Sequence, residues 1–403
     1  MELRPGYKQT EVGVIPEEWK VAPLRQEIER FDAGVSVNSV DDDLYSYGHD
    51  ESVLKTSAVS GGKFYPLECK KIAPRDLSRA KLNPRADTII LSRMNTPDLV
   101  GECGYVRSDY SYLFLPDRLW MTRIRNGSRL SVRWLSYLLS SNPYKMRIKG
   151  LATGTSGSMK NIAKDALGEM PIPFPEYAEQ RAIAAALSDV DALRAKLDQL
   201  IAKKRDLKQA AMQQLLTGKK RLPGFSGEWE VKRLGDVLSV RHGKSQHQIV
   251  TSDGQYPILA SGGEIGRTNT LLYDKPSVLI GRKGTIDSPQ YQDSPFWTID
   301  TLFYTEISNA AHPKFIFYKF LTINWRSYNE ASGVPSLNAS TIENIEFGCP
   351  SVDEQTAIAT VLSDMDAEIA TLEARRDKTR DLKQGMMQEL LTGRIRLVGE
   401  KTQ

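Results

Sequence analysis

Residues 179–192 read EQRAIAAALSDVDA, and residues 354–367 read EQTAIATVLSDMDA. The match extends without a gap from 175–222 onto 350–397, a shift of 175 residues with 27 of 48 positions identical. Two further runs lie within it, RDLKQ at 205–209 and 380–384, and LLTG at 215–218 and 390–393. A repeat of this size organises a whole chain, so the remaining sequence is interpreted around it.

Each copy of the repeat has the spacing of an amphipathic helix. Apolar residues of the first copy recur at alternating three- and four-residue steps, which predicts a continuous apolar face. That face consists of Ile183, Ala186, Val190, Leu193, Leu197, Leu200 and Leu207. Ser351 with Glu354 forms a capping box, and Gly218 and Gly393 stand where a C-terminal glycine belongs. We therefore predict one long helix in each copy.

These two helices are expected to pair with each other. A helix over residues 179–217 would be about 57 Å long at a rise of roughly 1.5 Å per residue. An apolar face of that length needs a partner, and the second copy is the nearest candidate. If each helix leaves its domain in the same way, the pair is an antiparallel coiled coil with pseudo-twofold symmetry.

The segments between the repeats are predicted to be two similar α+β domains. EWKV at 18–21 and EWEV at 228–231 open both segments after a proline-containing turn. Short β-rich runs lie at 88–91, 278–280 and 296–299, and amphipathic stretches lie at 131–140 and 313–321. The predicted order is a first domain at 1–173, a central helix segment at 174–222, a second domain at 223–348 and a C-terminal helix segment at 349–403.

Composition restricts the class of protein. No apolar run approaches the roughly 18 residues that span a bilayer, and the N-terminus has no apolar stretch typical of a secretory signal. We therefore predict a cytoplasmic protein without a membrane segment. The three cysteines are far apart, which argues against a disulfide framework or a thiolate zinc site. The net charge of +4 favours a polyanion partner only weakly, and residues 175–222 alone carry a surplus of four.

Glycine-rich and histidine patterns give no enzyme signature. Gly243-Lys244-Ser245 resembles the end of a phosphate-binding loop, but Leu238 occupies the position of the first glycine that such a loop needs. The stretch SGGEIG at 261–266 is not a GxGxxG cradle and predicts a tight turn. His242 and His247 lack the HExxH spacing of a zinc site.

Two further patterns are also incomplete. Asn142-Pro143-Tyr144 lacks one proline of the NPPY motif of amino-methyltransferases and is interpreted as a helix-ending turn. Asp98 and Glu102 lack the lysine of a nuclease metal site. We predict no catalytic residue, no metal site and no cofactor in this chain.

Basic and polar residues interleaved with glycines on expected loops favour nucleic-acid contact. Arginine and asparagine can pair with base edges, whereas lysine, serine and main-chain amides mostly contact phosphates. The candidates in the first domain are Lys63, Arg93, Asn95, Arg107, Lys149, Ser156, Ser158 and Lys160. Those in the second are Lys244, Ser245, Gly262, Gly263, Arg267, Arg282, Lys283, Trp297, Ser332, Ser336 and Asn338.

The paired helix motifs, together with YPILASGGEIG at 256–266 and the opening YKQTEVGVIPEEW at 7–19, resemble type I restriction-modification specificity subunits. The resemblance covers essentially the whole chain. It implies that each domain is a target-recognition domain that reads one half of a bipartite duplex DNA sequence. It also implies that the helices space the two domains and dock two methyltransferase subunits.

The resemblance places the chemistry on other chains. S-adenosylmethionine is expected on the methyltransferase subunits, and ATP and magnesium on the restriction subunits of the full complex. On the helices, the expected partner-binding residues are Gln180, Leu187, Asp189, Arg205, Leu215, Gln355, Leu362, Asp364, Arg380 and Leu390.

Three alternatives remain at this stage. The chain could be the recognition subunit of a fused restriction-methylation enzyme, which uses the same modules. It could be a coiled-coil adaptor that binds only proteins, which salt-sensitive retention of duplex DNA would argue against. A methyltransferase with a degenerate motif is the third, and binding of S-adenosylmethionine by the isolated chain would support it.

Overall fold

The computed structural model of the chain describes residues 4–40, 50–154 and 159–397. The chain forms two compact units: unit 1 comprises residues 1–195 and 377–403, and unit 2 comprises residues 196–376. Both long helices cross this division, so each unit holds one globular domain and a part of each helix. The predicted boundaries differ from these units, because the prediction placed each long helix in a segment of its own whereas each helix is divided between the two units.

Unit 1 mixes strands and helices, as predicted. Its strands are β1 (Tyr7–Thr10), β2 (Gly13–Pro16), β3 (Lys20–Pro23), β4 (Ile28–Ala33), β5 (Ser39–Val40), β6 (Ser52–Leu54), β7 (Val59–Ser60), β8 (Gly62–Phe64), β9 (Cys69–Ile72), β10 (Thr88–Ser92), β11 (Met94–Asn95), β12 (Cys103–Val106), β13 (Leu113–Phe114), β14 (Leu119–Ile124), β15 (Ala152–Thr153), β16 (Lys160–Ile162) and β17 (Pro171–Phe174). Its helices are α1 (Val132–Ser140), α2 (Asn142–Gly150), α3 (Lys164–Gly168), the first part of α4 (Tyr177–Leu215) and the last part of α7 (Val352–Leu390).

Local chemistry explains the two helices after β14. The Ser131 hydroxyl accepts the Trp134 N–H at 3.3 Å and caps α1, whose predicted position is confirmed. The interpretation of Asn142-Pro143-Tyr144 as a helix-ending turn is wrong, because these residues begin α2. Pro143 is tolerated there since the first turn of a helix leaves N–H groups unpaired in any case.

The main sheet of unit 1 has six strands in the order β4-β14-β10-β12-β8-β7. Its first four strands are antiparallel, β12 pairs with β8 in parallel, and β7 and β8 form a hairpin. Two smaller sheets flank it, β13-β6-β9-β5 and β11-β16-β15, and the pairs β1-β2 and β3-β17 complete the unit. Helix α1 packs against β10 and β12 and buries Trp134, Leu135 and Leu138.

Unit 2 repeats this plan with fewer strands. They are β18 (Glu230–Arg233), β19 (Leu238–His242), β20 (Val250–Thr251), β21 (Tyr256–Ala260), β22 (Gly263–Thr268), β23 (Ser277–Gly281), β24 (Gln290–Gln292), β25 (Trp297–Thr298), β26 (Leu302–Ile307) and β27 (Glu346–Cys349). The helices are α5 (Pro313–Phe320), α6 (Ala339–Glu343), the last part of α4 and the first part of α7 (Val352–Leu390). The sheets are β19-β26-β23-β24, β20-β22-β21-β25 and β18-β27.

The two domains share a fold, as the sequence predicted. The antiparallel order β19-β26-β23-β24 corresponds to β4-β14-β10-β12 in unit 1. Each domain also contains one parallel pair with a short strand, β6 with β13 in unit 1 and β21 with β25 in unit 2. The sequence runs at 88–91, 278–280 and 296–299 form β10, β23 and β25, and the stretch at 313–321 forms α5.

The long helices are confirmed: α4 and α7 each have 39 residues. They pack antiparallel inside each unit. In unit 2, Lys204 pairs with Glu368 at 2.7 Å and Lys208 with Asp366 at 2.5 Å. A later residue of α4 thus contacts an earlier residue of α7, as in an antiparallel pair. In unit 1, Asp191 pairs with Lys383 at 2.7 Å.

The predicted apolar face of α4 is wrong in part. Leu193 and Leu200 are each 39% exposed and Leu207 is 48% exposed, whereas Leu197 and Ile201 are buried. Each helix packs against a globular domain as well as against the other helix, so its buried residues do not follow one seven-residue row. Leu193, Leu200 and Leu207 remain partly exposed to solvent.

A tryptophan, a glutamate and an arginine attach the helices to the domain of unit 1. Trp19 Nε1 donates to the Glu179 carboxylate at 3.0 Å, and Arg396 donates to the same carboxylate at 2.6 and 2.9 Å. Glu179 therefore binds its own domain and the segment after α7. The Glu179 side chain is 1% exposed, so this ion pair is shielded from water.

Unit 2 repeats the arrangement with the helices exchanged. Trp229 Nε1 donates to Glu354 at 3.1 Å, and Arg221, which follows α4, donates to it at 2.5 and 2.6 Å. The predicted capping box is half present, because the Glu354 N–H donates to the Ser351 hydroxyl at 3.4 Å while the Glu354 carboxylate binds Arg221 and Trp229 instead. Such an exchange of roles is what a pseudo-twofold duplication predicts.

Candidate nucleic-acid interface

In unit 2, one edge of the β19-β26-β23-β24 sheet collects several polar residues that the sequence analysis selected. Strands β19 and β23 end there and β26 begins there, because His242 pairs with Phe303 and Gly281 with Leu302. The segments that follow β19 and β23 therefore lie on the same side of the sheet. They carry Lys244, Ser245, Arg282 and Lys283.

Close main-chain packing holds the segment after β19. The Lys244 N–H donates to the Thr298 carbonyl at 2.8 Å, and Trp297 Nε1 donates to the Lys244 carbonyl at 2.9 Å. A Cβ at Gly243 would lie 2.0 Å from the carbonyl oxygen of Ile299, so this approach requires glycine. The Lys244 side chain itself is exposed.

Arg282 is fixed at the same edge by three hydrogen bonds. Its N–H donates to the Thr301 carbonyl at 2.8 Å, and its carbonyl accepts the Leu337 N–H at 2.9 Å. Its guanidinium donates to the Asp300 carbonyl at 3.2 Å. Because a carbonyl is neutral, this hydrogen bond orients the guanidinium without neutralising its positive charge.

The loop before α6 reaches this edge as well. Lys283 forms an isolated antiparallel bridge with Ser336. Asn338 follows Leu337 and caps α6, with its side-chain oxygen accepting the Ser340 N–H at 3.1 Å. We name Lys244, Ser245, Arg282, Lys283, Ser336 and Asn338 the unit 2 edge.

In unit 1, the corresponding edge is built in the same way. Strands β4 and β10 end there and β14 begins there, because Ala33 pairs with Trp120 and Ser92 with Leu119. A Cβ at Gly34 would lie 1.6 Å from the Leu115 carbonyl oxygen, which is the counterpart of the contact between Gly243 and Ile299.

Arg93 occupies the place of Arg282. Its N–H donates to the Arg118 carbonyl at 3.0 Å, and its guanidinium donates to the Asp117 carbonyl at 2.8 Å. Its carbonyl accepts the Ile162 N–H at 2.9 Å, and Lys160 of the same strand β16 pairs with Asn95, two residues after Arg93. Lys63 pairs with Tyr105 of β12, which pairs with Ile89 of β10, so this candidate lies within the sheet rather than at the end where Arg93 follows β10. We name Arg93 and Lys160 the unit 1 edge.

Some predicted DNA contacts do not fit the structure. Asn95 is 9% exposed, and its amide donates to the Ser92 hydroxyl at 3.2 Å while its oxygen accepts the Thr96 N–H at 2.9 Å. Trp297 is 8% exposed and supports Lys244 from inside the fold. Both side chains are occupied in the protein and have little surface for a base.

Other candidates lie away from the two edges. Arg107 follows β12 at the opposite end of the sheet, and Lys149 lies in the last turn of α2. The Arg267 guanidinium is folded against its own sheet, with donors on the carbonyls of Gly254 and Gln255. Ser156 and Ser158 lie outside the described residues.

The sequence analysis missed two features that recur at both edges. The main-chain carbonyls of Asp117 and Asp300 accept the hydrogen bonds of the two arginine side chains. The sequence after each aspartate is similar, DRLW at 117–120 and DTLF at 300–303. A Ser-Gly-Gly turn occurs at 60–62 as well as at 261–263. A search for short shared tripeptides in the diverged middles of the domains would have found the second feature.

Burial also revises the predicted partner-binding residues. Six of them are at most 5% exposed and belong to the chain's own core: Gln180, Leu187, Leu215, Gln355, Leu362 and Leu390. Their predicted contact with another subunit does not fit this burial. The exposed members are Asp189, Arg205, Asp364 and Arg380.

The glutamines have clear internal roles. The Gln180 side-chain oxygen accepts the Ser131 N–H at 2.9 Å and its amide donates to the Pro175 carbonyl at 2.9 Å. Gln355 repeats both contacts, with the His312 N–H at 2.8 Å and the Pro350 carbonyl at 2.9 Å. Each glutamine thus connects the start of a long helix with the residue that begins a helix of the domain, α1 in unit 1 and α5 in unit 2.

Within the described ranges 4–40, 50–154 and 159–397, the structure contains no group of three or more His, Cys, Asp or Glu side chains that could hold a metal ion. Across the same ranges, none of the helices is both long and apolar enough to span a bilayer.

Comparison with known proteins shows which proteins this chain is similar to. A family model described as the type I restriction modification DNA specificity domain matches residues 226–379. The MjaX type I restriction enzyme specificity subunit of Methanocaldococcus jannaschii is 24% identical over 97% of both chains. A type I specificity subunit of Mycoplasma pneumoniae is 30% identical over 41% of this chain and 45% of its own length.

Solved structures agree in fold. The crystal structure of a type I restriction-modification S subunit from M. genitalium has a TM-score of 0.63 at 19% identity, covering 97% of this chain and 98% of that one. A chain from a structural study of type I complex assembly and conformational transition has a TM-score of 0.56 at 17% identity, covering 94% and 99%. Residues 226–379 thus match the type I restriction modification DNA specificity domain, and the chain is similar over nearly its whole length to a type I specificity subunit, with the same fold as a solved S subunit.

Proposed function

We propose that each unit reads one half of a bipartite duplex DNA target with its edge, and that the chain supplies recognition without catalysing any step. One observation carries the proposal: the same construction is present twice. In each unit, an arginine follows the central strand of the sheet and is oriented by the carbonyl of an aspartate, beside a glycine that admits no side chain.

The chemistry of these edges suits DNA. A guanidinium held by a neutral carbonyl keeps free N–H donors and its charge, and arginine pairs with the O6 and N7 atoms of guanine in the major groove. Lys244 and Lys283 near Arg282, and Lys160 near Arg93, add positive charge that favours phosphate contact. Two half-site interfaces in one chain also reinforce each other through effective concentration.

The long helices are proposed to hold the partner subunits. Their exposed charged residues, Asp189, Arg205, Asp364 and Arg380, remain our candidates for contact with two methyltransferase subunits. In this proposal S-adenosylmethionine binds the methyltransferase subunits, and ATP and magnesium bind the restriction subunits. A cytoplasmic location is consistent with these partners.

The test begins with the full-length chain co-expressed with its methyltransferase subunits, whose methylated motif is read by sequencing. Duplexes with single base-pair changes in each half are then used in binding assays. We expect R282A to weaken cognate binding about 5- to 150-fold and to relax discrimination in one half only, since a good arginine–guanine pair contributes about 1–3 kcal/mol. R93A should do the same in the other half.

R107A is the matched control, because Arg107 is an exposed arginine at the opposite end of the unit 1 sheet. It should leave discrimination in both halves intact. The proposal is wrong if R93A and R282A retain full discrimination, or if both affect the same half.

A further inference from the structure

The two units attach the same glycine turn to their edges by different chemistry. In unit 1 the turn at 60–62 joins β7 to β8, and in unit 2 the turn at 261–263 joins β21 to β22. Gly61, Gly62 and Gly263 have φ values of 59°, 77° and 108°, so both turns use backbone conformations that favour glycine. Two of the three residues in each turn are glycines without side chains, so side chains from neighbouring strands fix the position of the turn.

Glu102 holds the turn in unit 1. One of its carboxylate oxygens accepts the Gly61 N–H at 2.6 Å, and the other accepts Lys145 Nζ at 2.8 Å. Glu102 is only 7% exposed, and its carbonyl accepts the Ser92 N–H at 2.8 Å. The same residue therefore connects the turn with the residue that precedes Arg93.

Gln290 holds the turn in unit 2. Its side-chain amide donates to the Ala260 carbonyl at 3.0 Å and to the Ser261 carbonyl at 3.1 Å. Gln290 begins β24 and pairs with Leu279, which lies in the strand that leads to Arg282. A side chain from the neighbouring strand again connects the glycine turn with the edge arginine.

The two attachments differ in strength. In unit 1, strand β8 also joins the main sheet, with Gly62 beside Gly104, and a Cβ at Gly104 would lie 2.5 Å from the Lys63 carbonyl oxygen. In unit 2, the hairpin belongs to the separate β20-β22-β21-β25 sheet. The two hydrogen bonds of Gln290 thus link two sheets, whereas the bond from Glu102 reinforces a strand pair.

We propose that Glu102 and Gln290 are positioning residues, which set the glycine turns relative to Arg93 and Arg282 and thereby determine how stringently each half-site is read. The inference rests on the proposed function, because it assumes that the two edges contact DNA. It adds that base discrimination in each half depends on a side chain that holds the glycine turn, in addition to the edge arginine. Loss of Gln290 should have the larger effect, because the turn of unit 1 keeps its strand pair.

The decisive variant is Q290E in the full-length chain with its methyltransferase subunits. Glutamate has nearly the same shape, but a carboxylate cannot donate to the two carbonyls and is repelled by them. A single wrong base pair typically weakens specific binding about 5- to 150-fold. For the half that R282A affects, we expect Q290E to reduce this discrimination by about tenfold, with the other half unchanged.

Q292E is the matched control. Gln292 lies on the same strand, two residues further on, and its amide donates to Ser294 at 3.3 and 2.8 Å rather than to the turn. Its discrimination should equal that of the unaltered chain. E102Q should reduce discrimination by less than Q290E, and only in the half that R93A affects.

The outcomes separate the two proposals. If R282A relaxes one half and a folded Q290E retains full discrimination there, the positioning role is wrong while DNA reading by the edge stands. If Q290E weakens both halves equally, its effect is structural and the positioning role is also wrong. If neither arginine variant changes discrimination, the proposed function itself fails.

A second variant keeps the inference testable if Q290E does not fold. A Cβ at Gly262 meets no other atom within 4 Å, and this residue does not have a positive φ, so G262A should fold normally. If the turn approaches DNA, the added methyl group should weaken cognate binding by about tenfold or more. Unchanged binding by G262A would contradict the inference.

Discussion

The two units contain the same group of a serine, an aspartate and a tyrosine but bring different cations to it. In unit 1 the Tyr137 hydroxyl donates to Asp191 at 2.8 Å, and Lys383 binds the same aspartate at 2.7 Å. Arg133 adds its guanidinium, at 3.4 Å from Asp191 and 3.1 Å from the Ser188 hydroxyl. Two cations therefore surround one carboxylate.

Unit 2 repeats the group with one cation fewer in contact. The Tyr318 hydroxyl donates to Asp366 at 2.7 Å, and Lys208 binds Asp366 at 2.5 Å. Lys314 stands where unit 1 has Arg133, but it lies over the ring of Tyr291 at 5.8 Å. The Asp366 side chain is 43% exposed, whereas that of Asp191 is 12% exposed.

This difference shows which parts of the duplication were free to change. The helix residues of the group, Ser188 and Asp191 or Ser363 and Asp366, are identical because each helix must satisfy both a domain and the other helix. The arginine or lysine comes from the domain, whose surroundings differ. The lower exposure of the aspartate in unit 1 accompanies a second cation, in agreement with the cost of burying an uncompensated charge.

The largest expected effect tests the equivalence of the two units. Leu187 and Leu362 are corresponding residues, both 0% exposed, in the cores of unit 1 and unit 2. L187A and L362A should each lower the free energy of unfolding by about 2–5 kcal/mol, because a buried leucine loses its contacts and leaves a cavity. Urea unfolding measures the loss, and hydrogen exchange locates it in one unit.

A matched pair of exposed leucines controls this test. Leu207 and Leu382 also correspond, and they are 48% and 58% exposed. L207A and L382A should change stability by less than about 0.5 kcal/mol. Similar losses for buried and exposed leucines would contradict the assignment of the buried face.

A smaller effect separates the two aspartates by pH. Burial raises the pKa of Asp191, but the hydrogen bond and charge of Lys383, with Tyr137 and Arg133, hold it below its usual value of 3.8. A lowered folded pKa stabilises the protein above about pH 4, and this contribution is lost as the pH falls through the folded pKa. K383M should cost about 1–3 kcal/mol at pH 7, and the cost should shrink below about pH 4.

K208M is the corresponding change in unit 2 and should cost less, because water reaches the exposed Asp366. Unfolding free energies from pH 7 to pH 3 measure both variants. A K383M cost that is independent of pH would show that the lysine stabilises unit 1 by packing of its side chain rather than through Asp191.

The smallest expected effect comes from exchanging the domain cations. Arg133 lies over the rings of Tyr105 and Tyr137 at 4.7 and 4.4 Å. R133K should cost about 1 kcal/mol, since lysine cannot stack and bond in the same way. K314R should be neutral or stabilising. Equal thermal midpoints for R133K and the unaltered chain would show that the arginine of unit 1 adds no stability over the lysine that unit 2 has at the same place.

Sequence reasoning succeeded best where one signal was long. The 48-residue repeat predicted α4 and α7, and the short apolar runs predicted β10 and β23, because periodicity and composition are local properties. It failed for Leu193 and Leu200, since a helix with two different neighbours does not bury a single row. It also assigned Gln180 and Leu187 to a partner, although both are buried in the chain's own core.

The candidate interface was predictable only residue by residue. Arg93, Arg282, Lys160 and Lys244 were selected from their types and expected loops, and the correspondence between Arg93 and Arg282 was not predicted. Their equivalence arises because both follow the central strand of an antiparallel sheet and bond to the residues before the next strand. Asn95 was selected for the same reasons and is buried.

The sequence by itself determined the duplication, the two long helices, the α+β class of both domains and the resemblance to specificity subunits. These follow from patterns that neighbouring residues share along the chain. Only the tertiary structure decided which helix residues are buried, that each unit combines parts of both helices, and that two glycine turns are held by Glu102 and Gln290. Those facts depend on contacts between residues far apart in sequence, which local patterns do not encode.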